Sequence, residues 1–239
     1  MTYNVSDCCG GDNEENPGRI LDVIGHAAPD VVALQGLTTG KMEDQLQFLA
    51  TQLGMKAYRS PHPTGNAFLS YYPLKGLQQV ELGGAGCSLR ADLHTDNRCI
   101  HLFNVRLSTG RELRREQITH LLGPDLLGNV NLVCPLLVLG DFGDFFWSPS
   151  NLALTMALRK ARRPLFNGTY PARLPLVPRD RAYLRGNLRI LESSIDRTIM
   201  ARQAATHLPL TLTIQIVDLR HYLTLEKIPR ARRMEAAPG

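Results

Sequence analysis

Leu136-Leu137-Val138-Leu139-Gly140-Asp141-Phe142-Gly143 is the stretch whose reading decides the fold. Its four consecutive apolar residues follow Pro135 and stop at Gly140, too short a run for a helix. With no polar alternation either, they read as a strand buried on both faces that ends at Asp141. Val31 to Gln35 is a second short buried strand, and Gly36 falls at its end, where site residues commonly sit in such sheets. Between and around these strands the period changes. Ile20, Val23, Ile24 and Ala27 give an apolar helical face behind Pro17, a favoured first helical position. Met42, Leu46, Leu49 and Leu53 give a second helix, from about Lys41.

Working outward, Cys87, Leu89, Ala91 and Leu93 alternate with Ser88, Arg90, Asp92 and His94, and a Thr95-Asp96-Asn97 turn leads into Cys99 to Leu107. That is a hairpin. A helix is expected from Arg111 to Leu122, with Leu113, Ile118, Leu121 and Leu122 inward and Arg111, Arg114 and Arg115 outward among Glu112 and Glu116. Leu152 to Lys160 reads as helical, and short strands with proline-rich loops run from Thr169 to a closing strand at Thr211 to Ile216. Helices alternating with strands and hairpins argue a mixed α/β sandwich.

Composition bounds the class. The chain has 239 residues, 44% hydrophobic and 21% charged, which is ordinary globular composition with enough apolar residues for a sizeable core. No stretch approaches the roughly 18 apolar residues of a membrane span, and no secretion leader is visible. The five cysteines form no CxxC pair, which suggests free thiols and a cytoplasmic location. Cys8-Cys9 has no Cys or His partner at ligand spacing. Arg220, Lys227, Arg230, Arg232 and Arg233 stand against Glu226, so this run alone holds 5 − 1 = +4 of the net +5. Such a tail can bind nucleic acid or an anionic lipid surface, although a run so short reads first as a solvated end. A domain over residues 1–216 and a basic extension over 217–239 follow.

Seven motifs stand in order: Thr2-Tyr3-Asn4-Val5, Pro29 to Gly36, Gly65-Asn66-Ala67-Phe68-Leu69-Ser70, Phe103-Asn104-Val105-Arg106-Leu107, Leu139 to Gly143, Pro178-Arg179-Asp180-Arg181, and Ala205-Thr206-His207-Leu208-Pro209-Leu210. Their order and spacing resemble the endonuclease/exonuclease/phosphatase superfamily, which includes pancreatic-type deoxyribonucleases, apurinic endonucleases, sphingomyelinases and inositol polyphosphate phosphatases. A Trp147-Ser148-Pro149 after the fifth motif and Tyr170-Pro171-Ala172 before the sixth resemble small bacterial members. The resemblance implies a four-layer α-β-β-α sandwich with the site at one end. It also implies catalytic positions at Asn4, Asp141, Asp180 and His207. Asp196, in Ile195-Asp196-Arg197, competes with Asp180, which is preferred because Ala182-Tyr183-Leu184 continues as a strand.

The departures matter more than the matches. Where the family reads LQE this chain has Leu34-Gln35-Gly36; for THL it has Val105-Arg106-Leu107; for GDFN, Gly140-Asp141-Phe142-Gly143; and for SDHLPL, Thr206 stands in place of the Asp. Two carboxylates are lost and a neutral imidazole becomes a guanidinium, a shift of about three charge units toward positive. Mg²⁺, the family's usual cation, wants hard oxygen donors. A site so altered repels a dication and attracts phosphate, for which Arg106 and His207 are the candidate ligands. The expected protein is therefore a degenerate phosphoester-hydrolase-like chain, inactive or weak, with no cofactor, binding a phosphate-containing ligand. The alternative is a Mg²⁺-dependent phosphodiesterase or endonuclease that has rebuilt its metal site, for example with Asp144 or Glu81. If the metal has been lost, Gly36→Glu, Thr206→Asp and Gly143→Asn together are expected to regain metal binding.

Overall fold

The computed structural model describes residues 1–37, 42–60, 65–95, 98–144, 150–161, 164 and 167–217. Trp147 and the basic run from Arg220 to Arg233 lie outside the described residues. The chain opens one sheet with β1 (Thr2–Asn4), β2 (Val31–Gln35), β3 (Lys56–Tyr58) and β4 (Ala67–Ser70). It then builds a second sheet with β5 (Leu74–Gly83), β6 (Gly86–Thr95), β7 (Arg98–Arg106), β8 (Leu136–Asp141), β9 (Arg159–Lys160) and β10 (Asp180–Arg185). It returns to the first with β11 (Leu188–Ile195) and β12 (Leu210–Ile216). The strand orders are β11-β12-β1-β2-β4-β3 and β5-β6-β7-β8-β10-β9, six strands each. Because β12 pairs beside β1, residues from the first and last described strands meet in one sheet.

Helices cover the outer faces: α1 (Pro17–Ala27), α2 (Met42–Leu53), α3 (Arg111–Leu121), α4 (Ser150–Ala157) and α5 (Ile199–Ala204). Three apolar clusters separate the four layers. Ile20, Val23, Leu49 and Ala204 bury against Tyr3, Leu34 and Leu69 on one outer face. Phe68, Leu89, Leu102, Leu139 and Ala182 fill the space between the sheets. Ile118, Leu121 and Leu154 bury against Phe103, Val138 and Tyr183 on the other outer face. Removing water from these three interfaces supplies the main driving force for the fold. β8 is buried at every residue, as its continuous apolar run requires. The α-β-β-α sandwich is therefore the architecture.

Three expectations need correction. Arg114 is buried, not outward: its guanidinium donates to the carbonyls of Ser108 and Thr109 and pairs with Asp144. Its long stem lets it lie on an apolar helix face while its head finds polar partners. The helix expected to Lys160 stops at Ala157, and Arg159 and Lys160 pair with Leu184 and Tyr183 instead. Edge pairing outweighs a weak helical preference there. The loop expected after Asp7 begins with a turn in which Ser6, Asp7 and Cys8 have φ of 49°, 58° and 56°. Left-handed backbone at three successive non-glycine residues costs about 1–3 kcal/mol each, and such strain clusters at functional sites.

Candidate active site

Strand ends assemble the site. Asn4 ends β1, Arg106 ends β7, Asp141 ends β8, Asp180 begins β10, and His207 stands just before β12. The parallel register of β7 and β8 sets Arg106 beside Asp141, and the antiparallel register of β8 and β10 sets Asp141 beside Asp180. The two sheets are locked beneath this row by polar bridges. Gln35 Nε2 donates to Asn104 Oδ1 at 2.7 Å, and Asn104 Nδ2 donates to the carbonyls of Leu34 at 2.8 Å and Ala67 at 2.9 Å. Asn66 donates back to the Asn104 carbonyl at 3.0 Å. Gln35, Asn66 and Asn104 belong to the sequence motifs, and all three are fully buried. Buried amides survive only with partners, and these partners fix how the sheets face one another.

Asp141 is the centre. Its Oδ2 accepts from Asn4 Nδ2 at 2.9 Å and from Arg179 Nη2 at 2.8 Å. Its Oδ1 accepts from Arg179 Nε at 3.1 Å and from the Gly143 amide at 2.9 Å. Burial alone would raise the Asp141 carboxyl. The His207 imidazole, the Arg179 guanidinium and the hydrogen bonds from Gly143 and Asn4 outweigh it and hold the group below the usual carboxylate range. Arg179 stands in the sixth motif, but sequence reasoning gives it no role. Its signal was a charge between Pro178 and Asp180 in a segment otherwise destined for the interior. The fork on Asp141 is bidentate, the geometry a guanidinium is built for.

His207 Nδ1 lies 2.8 Å from Asp180 Oδ2. Since a carboxylate only accepts, Nδ1 carries the proton, and Nε2 is directed at Asp141 Oδ2, 3.9 Å away. Asp196 is elsewhere: its Oδ1 accepts from the Thr198 amide at 2.9 Å. Tyr170 closes this side, with its ring 4.8 Å from the His207 ring and the Arg179 guanidinium 4.8 Å over it. His207 is 2% exposed, so of the two candidate phosphate ligands only Arg106 is partly open to solvent. The Arg106 guanidinium reaches toward Gly65, across the mouth of the sandwich.

The family's divalent cation does not fit these residues. Gly36 has φ of 76°, and a Cβ there would lie 2.3 Å from Asn4 Oδ1. Gly36 supplies no donor, and the Thr206 hydroxyl is bonded to the Ser6 hydroxyl. Asp144 is clasped by Arg114 and Arg181, and Glu81 is exposed on the edge strand β5. Asp141, Asp180 and His207 do bring three donor atoms within 4.8 Å of one another. Both Asp141 oxygens, however, face the Arg179 guanidinium. A unit positive charge already stands where a carboxylate would meet a metal.

Two six-stranded sheets that gather two carboxylates and an imidazole at one end define the class of protein. The sequence matches the Endonuclease/Exonuclease/phosphatase family over residues 1–206, and the chain belongs to that family. No curated protein matches it. Among solved structures, an endonuclease/exonuclease/phosphatase from Beutenbergia cavernae is 19% identical with a TM-score of 0.72, covering 90% of this chain and 70% of its own. A mannosyl-6-phosphatase of Bacteroides thetaiotaomicron is 13% identical with a TM-score of 0.73 over 90% of this chain and 98% of its own. The human Nocturnin catalytic domain, solved with a bound sulfate anion, is 18% identical with a TM-score of 0.68 over 90% and 93%. Among the described residues no helix is long and apolar enough to cross a membrane.

Proposed function

We propose that this protein is a catalytically inactive or weak member of its family that binds a phosphate-containing ligand without a divalent metal. The observation that carries the reading is the Arg179 guanidinium on both oxygens of Asp141. In metal-dependent phosphoryl transfer the cation neutralises charge on the phosphoryl oxygens. Here a fixed cation neutralises Asp141 instead, so that carboxylate is removed from metal chemistry. The Asp180–His207 pair keeps the geometry of a proton-transfer couple, but His207 is buried and its Nε2 lies 3.9 Å from Asp141, a carboxylate already engaged by Arg179. Proton transfer to a bound ester is thereby disfavoured. Among the described residues, Arg106 at the end of β7 is the cation offered to a phosphate oxygen. A sulfate in the Nocturnin structure is in keeping with anion binding on this fold.

Calorimetry with Mn²⁺ should show no site at millimolar concentration, whereas inorganic phosphate should raise the melting temperature modestly. Arg106→Ala should remove most of the phosphate effect, and added salt should weaken it. Truncation after Ile216 should leave it unchanged. Phosphate stabilisation that survives Arg106→Ala but disappears on truncation would overturn the cleft reading in favour of the basic tail. The clustered donors of Asp141, Asp180 and His207 favour, as a second reading, a phosphodiesterase whose metal displaces Arg179. A tight Mn²⁺ site lost in Asp141→Asn would establish it. A cytoplasmic location accords with five free cysteines.

A further inference from the structure

At the other end of the second sheet, a separate cluster gathers soft metal ligands. Cys99, His101 and Cys134 each offer a donor atom, and the three atoms lie within 4.8 Å of one another. Cys99 and His101 are two apart on β7, so both point to the face that carries Phe103 and Val105, the face away from the other sheet. Cys134 enters from the segment before β8, where the amide of His101 bonds to the Pro135 carbonyl. His101 and Arg106 pair with Leu136 and Asp141. Five residue steps along β7 thus separate the cluster from the hydrolase-like site, roughly 17 Å.

The imidazole is prepared as a metal ligand. His101 Nδ1 lies 2.6 Å from Asp92 Oδ1, and Arg90 Nη2 holds both Asp92 oxygens at 3.2 Å. An ionised carboxylate accepts, so Nδ1 carries the proton and Nε2 keeps its lone pair. That lone pair accepts a hydrogen bond from the Cys134 amide at 3.3 Å, a bond that a metal on Nε2 would replace. Carboxylate, imidazole and a facing donor set form the arrangement that orients histidine on zinc. The hairpin register supplies a fourth candidate. His94 is the direct cross-strand partner of Cys99, so its side chain stands on the same face, and it is exposed. Two thiols and two imidazoles are the soft and borderline donors of a closed tetrahedral zinc site.

We infer that Cys99, His101 and Cys134, completed by His94 and oriented by Asp92, form a zinc site that fastens the segment before β8 to the β6–β7 hairpin. Nothing in the hydrolase-like chemistry needs it, since its residues lie on the outer face at the opposite sheet end. The thiols lose their protons on binding, so uptake releases protons and weakens as pH falls.

The full chain, stripped with chelator under a thiol-free reductant, is titrated with Co²⁺ and then Zn²⁺. One Co²⁺ per chain should bind, with the thiolate-to-cobalt charge-transfer band and intense visible bands of tetrahedral coordination, and Zn²⁺ should displace it. Cys134→Ser and Cys99→Ser should each weaken that band to about half and reduce affinity, with circular dichroism verifying that the fold persists. Asp92→Asn should weaken binding by about 10–100-fold with the band retained, since the carboxylate acts only through His101. Cys9→Ser should change nothing. Co²⁺ uptake without a thiolate band, or uptake indifferent to both Cys99→Ser and Cys134→Ser, would overturn the site. So would isolation of the chain with a Cys99–Cys134 disulfide that no Zn²⁺ concentration prevents.

Discussion

Replacing Arg179 with alanine should destabilise the protein by about 3–5 kcal/mol, the range for removing one partner of a buried ion pair. Asp141 is 1% exposed and Arg179 9%, so neither charge is relieved by water. Asn4 and Gly143 would remain as donors to Asp141 but bring no charge. Urea unfolding measures the loss. Arg179→Ala combined with Asp141→Asn should recover much of it, because the stranded charge is gone. Arg179→Lys should not recover it, since an ammonium reproduces neither the two-point contact nor the stacking on Tyr170. A loss under about 1 kcal/mol in Arg179→Ala would show that the pair is not holding the site.

The same pair predicts an acid dependence. Asp141 titrates below its ordinary range when folded. Its stabilising contribution is therefore complete above the ordinary carboxylate range and is lost as pH falls through the folded value. In Arg179→Ala, burial is left less opposed, the carboxyl rises, and acid unfolding should begin at higher pH than in the natural protein. Identical acid midpoints for the two would contradict the assignment.

The second large effect concerns the lost family residues. The variant Gly36→Glu, Gly143→Asn, Thr206→Asp reads in sequence as a repair of the metal site. In the structure it should instead lower stability by about 4 kcal/mol and bind no Mn²⁺. Gly36 and Gly143 have φ of 76° and 63°, where a β-carbon is penalised. At Gly143 the new Cβ would lie 2.5 Å from the Ser108 carbonyl oxygen and 2.6 Å from that of Leu107, both backbone atoms that move only with their strand end. At Gly36 the obstacle is Asn4 Oδ1, which is held by the Ser6 amide. Arg179 would still occupy Asp141. Mn²⁺ binding is expected only when Arg179→Leu is added and the protein still folds. Metal binding by the three-residue variant alone, in calorimetry, would refute the role given to Arg179.

The order of buried strands and amphipathic helices was legible because layer packing imposes a local period on each element. Val31–Gln35 and Leu136–Asp141 were read as buried strands, and both are. The edge strand β5 was not read, because most of its residues are exposed and impose no alternation. The helix α5 was not read, because six residues hold too little period. Asn4, Asp141, Asp180 and His207 could be named together because motif order is a linear property. Which carboxylate meets His207 was not linear. Asp180 and Asp196 stand in similar triplets, and the β8–β10 register decides that Asp180 faces the imidazole.

Charge at the site marks the boundary between the two kinds of knowledge. Composition at positions 36, 106 and 206 determined that the site had moved toward positive, since residue identity fixes formal charge. Where the positive charge went was decided only by the tertiary fold. Arg179 reaches Asp141 across 38 residues of chain, and Asn4 reaches it across 137. Cys134 comes beside His101 across 33 residues, through the pairing of β7 with β8. Sequence spacing carries local periodicity and inherited motifs. Contacts between distant residues depend on strand register and on burial that forces each charge to find a partner, and both exist only in the folded chain.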